Sequence, residues 1–279
     1  MKLDKVLLTT DSSPFSSGAE REAINLAKRF NSELYILSVI EANPEFTALA
    51  PGILEKLEEK TKNLLSEIKQ KAEKERVKSE IVIREAEEPY KIIIDEAQKR
   101  KCGIIIMGRR GRTGITRVLM GSVTARTVGL SPVNVLIIPS AARVEFKNIV
   151  VATDASIFSE VATKEAIQLA VETGANLYAI AVITPGVAPE RIKELEDTLI
   201  RISSECKKKD IRVENKLVKN KPHERIHEII LEYAKRQKAD LMVLGSHGRT
   251  GIQKLLMGSV AERVIGHAEA GVLIVKTQI

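Results

Sequence analysis

The sequence predicts the α/β class: two repeated, open, doubly wound domains, each built on a five-stranded parallel sheet. Three observations carry this expectation. The chain has 279 residues, nearly twice the roughly 150 residues of an average domain. Its halves repeat each other. Val6-Leu7-Leu8-Thr9-Thr10-Asp11 returns as Ile149-Val150-Val151-Ala152-Thr153-Asp154, and GRRGRTGITRVLMGSV at 108–123 returns as GSHGRTGIQKLLMGSV at 245–260, with 11 of 16 positions identical. A period of half the chain is far too long for a solenoid and marks a duplicated domain. Within each half, strand-like and helix-like segments alternate, which implies crossover helices on a parallel sheet.

In the first half, Lys5–Thr10, Glu33–Ile40, Ser79–Arg84, Gly103–Met107 and Val133–Ile138 are the expected strands. Ile104-Ile105-Ile106 and Val135-Leu136-Ile137-Ile138 are continuous aliphatic runs, the pattern of strands covered on both faces. Between them Ala19, Ala23, Ile24, Ala27 and Phe30 recur at helical spacing. Ile53, Leu54, Leu57, Leu64, Leu65 and Ile68 do so in a longer, highly charged segment. Ile93, Ile94 and Ala97 mark a third helix, and residues 123–128 a fourth. The second half offers matching strands at Asn148–Thr153, Asn176–Ile183, Ile211–Val218, Asp240–Leu244 and Gly271–Val275. Right-handed crossovers place the helices on both faces, so each half is Rossmann-like. The join falls in the polar stretch 139–143, which sets the domains at 1–141 and 142–279.

Composition narrows the function. Hydrophobic residues make up 44% and charged residues 29%, values of a folded globular protein that exclude disordered and collagen-like classes. There are five Phe, four Tyr and no Trp, too few rings for a base-stacking platform, so nucleic acid is not an expected partner. No apolar run approaches the roughly 18 residues of a membrane span, and Val6-Leu7-Leu8 is too short for a signal-peptide core. A cytoplasmic protein without membrane contact is expected. Cys102 and Cys206 cannot form a secreted disulfide framework and are expected to be ordinary buried or half-buried thiols. The net charge of +7 is spread evenly: 23 basic and 19 acidic side chains in 1–142, 21 and 18 in 143–279. That excess suits an anionic ligand without identifying one. Lys207-Lys208-Lys209 is expected to be a solvated helix end.

Open α/β sheets bind ligands beyond the carboxyl ends of their strands, where the strand order reverses. Asp11 and Asp154 follow the first strand of each half, and glycine-rich segments follow the fourth. Their spacing is the same: Gly108, Gly111, Gly121, Ser122 against Gly245, Gly248, Gly258, Ser259. Glycines let a ligand approach the backbone and permit positive φ. The closing Gly-Ser opens a helix whose N–H groups favour phosphate. A structural alternative stands beside this. Ser122 and Ser259 suit helix N-caps, Ser259 with Glu262 fits a capping box, and Asp11 and Asp154 fit turn or helix-start aspartates. Two copies in the same strand–loop–helix context favour phosphate.

The same residues resemble the universal stress protein family in its tandem form, over nearly the whole chain twice. Glycine spacing that ends in Gly-Ser marks the nucleotide-binding branch. The resemblance implies ATP, with Mg²⁺, held between the end of the first strand and the glycine loop. It implies Asp11 as the anchor of adenine or ribose, Val39 against adenine, and Gly108, Gly111, Gly121, Ser122 and Val123 around ribose and phosphates. In the second half the matching positions are Asp154, Val182, Gly245, Gly248, Gly258, Ser259 and Val260. The family's Gly-Ser-His-Gly stands at 245–248, whereas the first half has Gly108-Arg109-Arg110-Gly111. Arg109 is counted with the site, although the arginine pair either strengthens phosphate binding or forms a solvated turn. The family also implies that the domains pair through their last strands, Asn134–Ile138 and Gly271–Val275, with a further homodimer open.

The function expected is that of an ATP-binding stress-response protein, a nucleotide-dependent binding or sensing module with an unidentified protein partner and no dedicated catalytic residue. Two alternatives stand: a slow ATPase or phosphotransferase, and an interaction or chaperone-like protein with empty sites. No Walker A pattern and no G-x-G-x-x-G after the first strand is present. His223-Glu224-Arg225-Ile226-His227 fits the H-E-x-x-H zinc signature. It starts just after Pro222, where a first helical turn is expected, and neither His247 nor His267 offers an evident third ligand. Pro222 to Ala234 spans four residues more than Pro89 to Ala97, which predicts an extra turn in the second half.

Overall fold

The structure is a computed structural model that describes residues 2–41, 51–111, 120–221, 223–248 and 257–277, with the side chains of Pro51 and Ile53 outside that description. The chain divides into two compact units, Met1–Ala141 and Ala142–Ile279. The first contains β1 (Lys5–Thr9), α1 (Ser17–Phe30), β2 (Glu33–Glu41), α2 (Pro51–Lys74), β3 (Ser79–Ala86), α3 (Pro89–Lys99), β4 (Ile104–Gly108), α4 (Ser122–Leu130) and β5 (Asn134–Ile138). The second contains β6 (Asn148–Ala152), α5 (Ile157–Thr173), β7 (Asn176–Ile183), α6 (Pro189–Lys208), β8 (Val213–Lys219), α7 (Ile226–Arg236), β9 (Leu241–Gly245), α8 (Ser259–His267) and β10 (Gly271–Val275).

Both units are doubly wound, as the alternation of elements predicts. Strand order is β3-β2-β1-β4-β5 in the first and β8-β7-β6-β9-β10 in the second. The neighbours within each unit are parallel. Leu7 pairs with Tyr35 on one side and Ile105 on the other, so β1 is the central strand of its unit. Val6, Leu7, Leu8 and Ile105 are fully buried, which accounts for unbroken aliphatic runs where an alternating pattern would mean one wet face. The chain leaves β1 toward β2 and crosses back to β4. The strand order therefore reverses between β1 and β4, and the crevice at their carboxyl ends is where such sheets take ligands.

Element ends follow local chemistry. Asn31 closes α1 at φ 52 and Gly174 closes α5 at φ 73, both left-handed caps. Lys207 and Lys208 occupy the last turn of α6, where a cation opposes the negative end of the dipole. Several strand limits differ from the sequence expectation: β3 runs on to Ala86, β4 to Gly108, and β8 starts at Val213. The extra turn expected in the second half is not helical. α3 and α7 both have 11 residues, and the added residues form the loop before α7. There Lys221 N–H donates to Glu224 Oε2 at 2.9 Å and Asn220 Nδ2 donates to Glu224 O at 3.2 Å. Cys102 and Cys206 are buried, and burial pushes both thiols up to about 11. Among the described residues no helix is long and apolar enough to cross a membrane.

The start of the second unit rests on one carboxylate. Asp240, just before β9, accepts the N–H groups of Phe146 at 2.9 Å, Lys147 at 2.8 Å and Asn148 at 3.0 Å. It thereby fastens the entry of β6 to the entry of β9. Its counterpart in the first unit is Gly103, where a Cβ would lie 1.5 Å from the Lys2 carbonyl oxygen. The same junction is closed by backbone there and by a side chain here. Asp240→Ala should orphan these donors and lower stability by about 1–3 kcal/mol. Denaturant unfolding checks this, and a midpoint equal to wild type would show that the three bonds are replaced by water without loss.

Candidate functional site

The site is built first by the loop after β1. Thr10 Oγ1 accepts from Ser12 N–H at 2.9 Å and donates to Glu20 Oε1 at 2.6 Å. Asp11 Oδ1 accepts from Ser13 N–H at 3.1 Å and from the Ser16 hydroxyl. Ser12 takes the left-handed conformation at φ 56, which turns the chain back over the strand end. The second unit forms the same turn but draws the hydroxyl from a different serine, Ser156, which matches Ser13. Thr153 Oγ1 accepts from Ala155 N–H at 3.2 Å, and Asp154 Oδ1 accepts from Ser156 N–H at 3.1 Å and Ser156 Oγ at 2.5 Å. Ala155 stands at φ 53. A half-buried aspartate is thus fixed at the carboxyl end of each central strand.

The glycine loop then closes on that aspartate. A Cβ at Gly111 would lie 3.0 Å from Asp11 Oδ2, and one at Gly248 2.9 Å from Asp154 Oδ2. A Cβ at Gly108 would come within 3.0 Å of the Phe15 carbonyl oxygen, and at Gly245 within 2.7 Å of the Phe158 backbone. The first glycine makes room for the neighbouring loop, and the second lets backbone reach the carboxylate. Positive φ is not the reason for either: among the described glycines only Gly174 and Gly186 have it. Gly121 and Gly258 both stand at φ −64, which corrects the sequence expectation. They are extended N-cap residues, a conformation open to any side chain.

Gly121 N–H donates to Arg109 O and Gly258 N–H to Ser246 O, each at 3.0 Å. Helices α4 and α8 begin at the next residue, with glycine as N-cap and no side chain bonded to the cap. The capping box expected from Ser259 and Glu262 does not form, because Ser259 is already the first helical residue and sits one position too late. The N–H groups of the first turn therefore open onto the crevice with the positive end of the helix dipole. Thr124 Oγ1 donates to Gly108 O at 3.0 Å and ties α4 to the end of β4.

In the first unit these parts enclose a cavity of about 240 Å³. Asp11, Val39, Gly108, Gly111, Gly121, Ser122 and Val123 all line it, together with Thr10, Ser16, Glu41, Ile93, Met107 and Arg110. Among the described residues Arg110 is the arginine that lines it, and Arg109 is not. Arg109 is half-buried, and burial, followed by the neighbouring Arg110, pulls its guanidinium below the usual range. Val39, Ile93 and Met107 supply an apolar wall, and the glycine loop with the α4 start supplies polar backbone. That mixture suits a flat ring joined to an anion.

In the second unit, Asp154 follows β6, half-buried Val182 lies near the end of β7, Gly245 ends β9, and Gly258, Ser259 and Val260 open α8. His247 lies beside the Phe158 ring, 5.4 Å between centroids, with Nδ1 3.2 Å from Ser246 Oγ. Sequence reasoning missed the serines that hold each aspartate. The signal was available, since Thr-Asp-x-Ser-x-Phe-Ser occurs at both 10–16 and 153–159.

The H-E-x-x-H match comes apart. α7 begins at Ile226, so His223 is an exposed loop residue at φ 77. His227 is buried in the first turn, its ring 5.7 Å from that of His267. Among the described residues no group of three His, Cys, Asp or Glu could hold a metal ion. Burial, with help from Arg263, His267 and Arg225 and against Glu228, holds His227 below its usual 6.5. Below that pH the unfolded chain binds the proton before the folded chain does, so stability falls on acidification and is regained as pH rises to about 6.5. His227→Gln should flatten that slope in urea midpoints measured across the interval. Parallel slopes for variant and wild type would refute the assignment.

Residues 2–139 and 145–276 each match the sequence model of the Universal stress protein family. The chain is 35% identical over 138 residues to Universal stress protein MJ0531 of Methanocaldococcus jannaschii, covering 48% of this chain and 81% of that one. It is 28% identical over 214 residues to Universal stress protein Rv2005c of Mycobacterium tuberculosis, covering 72% and 69%. Its fold is like that of a universal stress protein from Archaeoglobus fulgidus known from its crystal structure, with a TM-score of 0.79, 24% identity and 99% of each chain covered.

Proposed function

The chain belongs to the universal stress protein family in its tandem form, and from that premise we propose that it binds ATP in each half and acts as a nucleotide-dependent binding or sensing module in a stress response. The observation that carries this is the convergence of Asp11, Val39, the glycine backbone and the open start of α4 on one cavity of about 240 Å³. Val39, Ile93 and Met107 would receive adenine, Asp11 the ribose, and Gly111, Gly121 and Ser122 the phosphates. Oriented N–H groups and a helix dipole hold phosphate without further charge. Mg²⁺ takes most of its ligands from phosphate and water, with one or two carboxylates, and Asp11 and Glu41 are the carboxylates that line the cavity. When bound, the ion would screen the phosphate charge.

A cytoplasmic setting is part of the proposal, since two buried thiols outside any disulfide fit a reducing compartment. Pairing of the halves through β5 and β10 is part of it as well. Each is an apolar outer strand of its own unit's sheet, and such an edge favours a strand partner. The downstream partner is a protein that responds to nucleotide occupancy.

Gly121 and Gly258 provide the test. A Cβ at Gly121 would lie 3.6 Å from Gly111 N, and at Gly258 3.4 Å from Gly248 N. The fold can accept that, but a valine there fills the space in which phosphate meets the loop. Gly121→Val should remove the first site and Gly258→Val the second, each halving the stoichiometry of MgATP binding in calorimetry. The double variant, folded by circular dichroism, should bind none. Unchanged stoichiometry in a folded double variant would sink the glycine-loop assignment.

A further inference from the structure

The described ends of the two glycine loops, 108–111 with 121 and 245–248 with 258, match closely and differ in charge. The bonds from Gly121 to Arg109 O and from Gly258 to Ser246 O are the same length, 3.0 Å. The approaches of Gly111 to Asp11 and Gly248 to Asp154 differ by only 0.1 Å, 3.0 against 2.9 Å. On this common cradle the first half places Arg109 and Arg110, and the second Ser246 and His247. The loop residues that follow do not offset the difference, because Arg112 and Arg117 are matched by Arg249 and Lys254. Arg110 lines the cavity beside Gly111, Gly121 and Ser122. Arg109 is half-buried next to it.

We propose that Arg110, backed by Arg109, makes the first half selective for nucleotides with more phosphates, whereas the second half binds adenine nucleotides with little regard to phosphate number. The inference rests on the nucleotide reading of both loops. Each added phosphate raises the charge of the ligand, and a guanidinium on the cavity wall favours each increment. One charge-assisted hydrogen bond separates two ligands by roughly tenfold to a hundredfold. A chain of this design compares two quantities: triphosphate in one half, and the whole adenylate pool in the other.

The test isolates each site in the full chain, using Gly258→Val to leave the first and Gly121→Val to leave the second. AMP, ADP and ATP are titrated into both at one pH and ionic strength. The ratio of the AMP to the ATP dissociation constant should be at least about tenfold larger for the first site. Arg109→Ser with Arg110→His should bring the first site's ratio down to that of the second. Ser246→Arg with His247→Arg should raise the second site's ratio, a gain that misfolding cannot produce. Equal ratios at the two sites, or ratios that stay with the half when the residues are exchanged, would overturn the inference alone. Wild-type protein that binds none of the three nucleotides would overturn the nucleotide reading and the inference with it.

Discussion

At the end of β1, Asp11 Oδ1 is gripped by Ser13 N–H and the Ser16 hydroxyl, and Gly111 brings its backbone against the carboxylate's other oxygen. A side chain at Gly111 would press on that oxygen, with its Cβ 3.0 Å away. The contact also fixes the distance between the loop after the first strand and the loop after the fourth. Everything else at the site is placed from there. Gly108 has to clear the Phe15 carbonyl, Gly121 N–H has to reach Arg109 O, and α4 starts where the loop then points. The second unit meets the same requirement with Asp154, Gly248, Gly245 and Gly258.

Away from that contact the two copies solve local problems differently. Thr10 donates to Glu20, and burial raises that carboxyl above its usual range despite the bond. The matching pair in the second unit is Thr153 with the Ser159 hydroxyl at 3.1 Å, and Thr163 stands in the place of Glu20 and donates to Ser159 O at 2.8 Å. One loop is held by a carboxyl and the other by a chain of hydroxyls. The Gly103 and Asp240 junctions diverge in the same way, backbone contact against carboxylate. Divergence in charge at Arg109 and Arg110 follows this pattern: the cradle is retained and the side chains above it are free to change.

What could be read from the sequence was set by strong, local physics. Short aliphatic runs bounded by turn signals, such as Ile104-Ile105-Ile106, fit strands covered on both faces, and helical spacing in Ala19, Ala23 and Ala27 fits one buried stripe. The glycine positions were legible because two copies keep them. Their conformations were not, since glycine permits positive φ without requiring it, and Gly121 adopts φ −64. The Ser259 capping box failed by one residue, a displacement that no pattern resolves, because helix starts are decided by where the preceding loop ends. The H-E-x-x-H match failed for a similar reason. Pro222 suggested a helix start, yet the helix begins at Ile226, after Glu224 has bonded the loop.

The same bonds shape the cavity at the end of β1. Ser12 N–H and Glu20 engage the Thr10 hydroxyl, and Asp11 Oδ1 receives an amide and a hydroxyl. A group that moves a proton in catalysis works best when its lone pair faces the reacting atom. Asp11 Oδ1 is tied by those bonds to the protein's own loop, while Asp11 also lines the cavity. The cavity is left mainly with elements that hold charge in place: glycine N–H groups, the start of α4 and the Arg110 guanidinium. Fixed dipoles and a fixed cation favour occupancy by an anion.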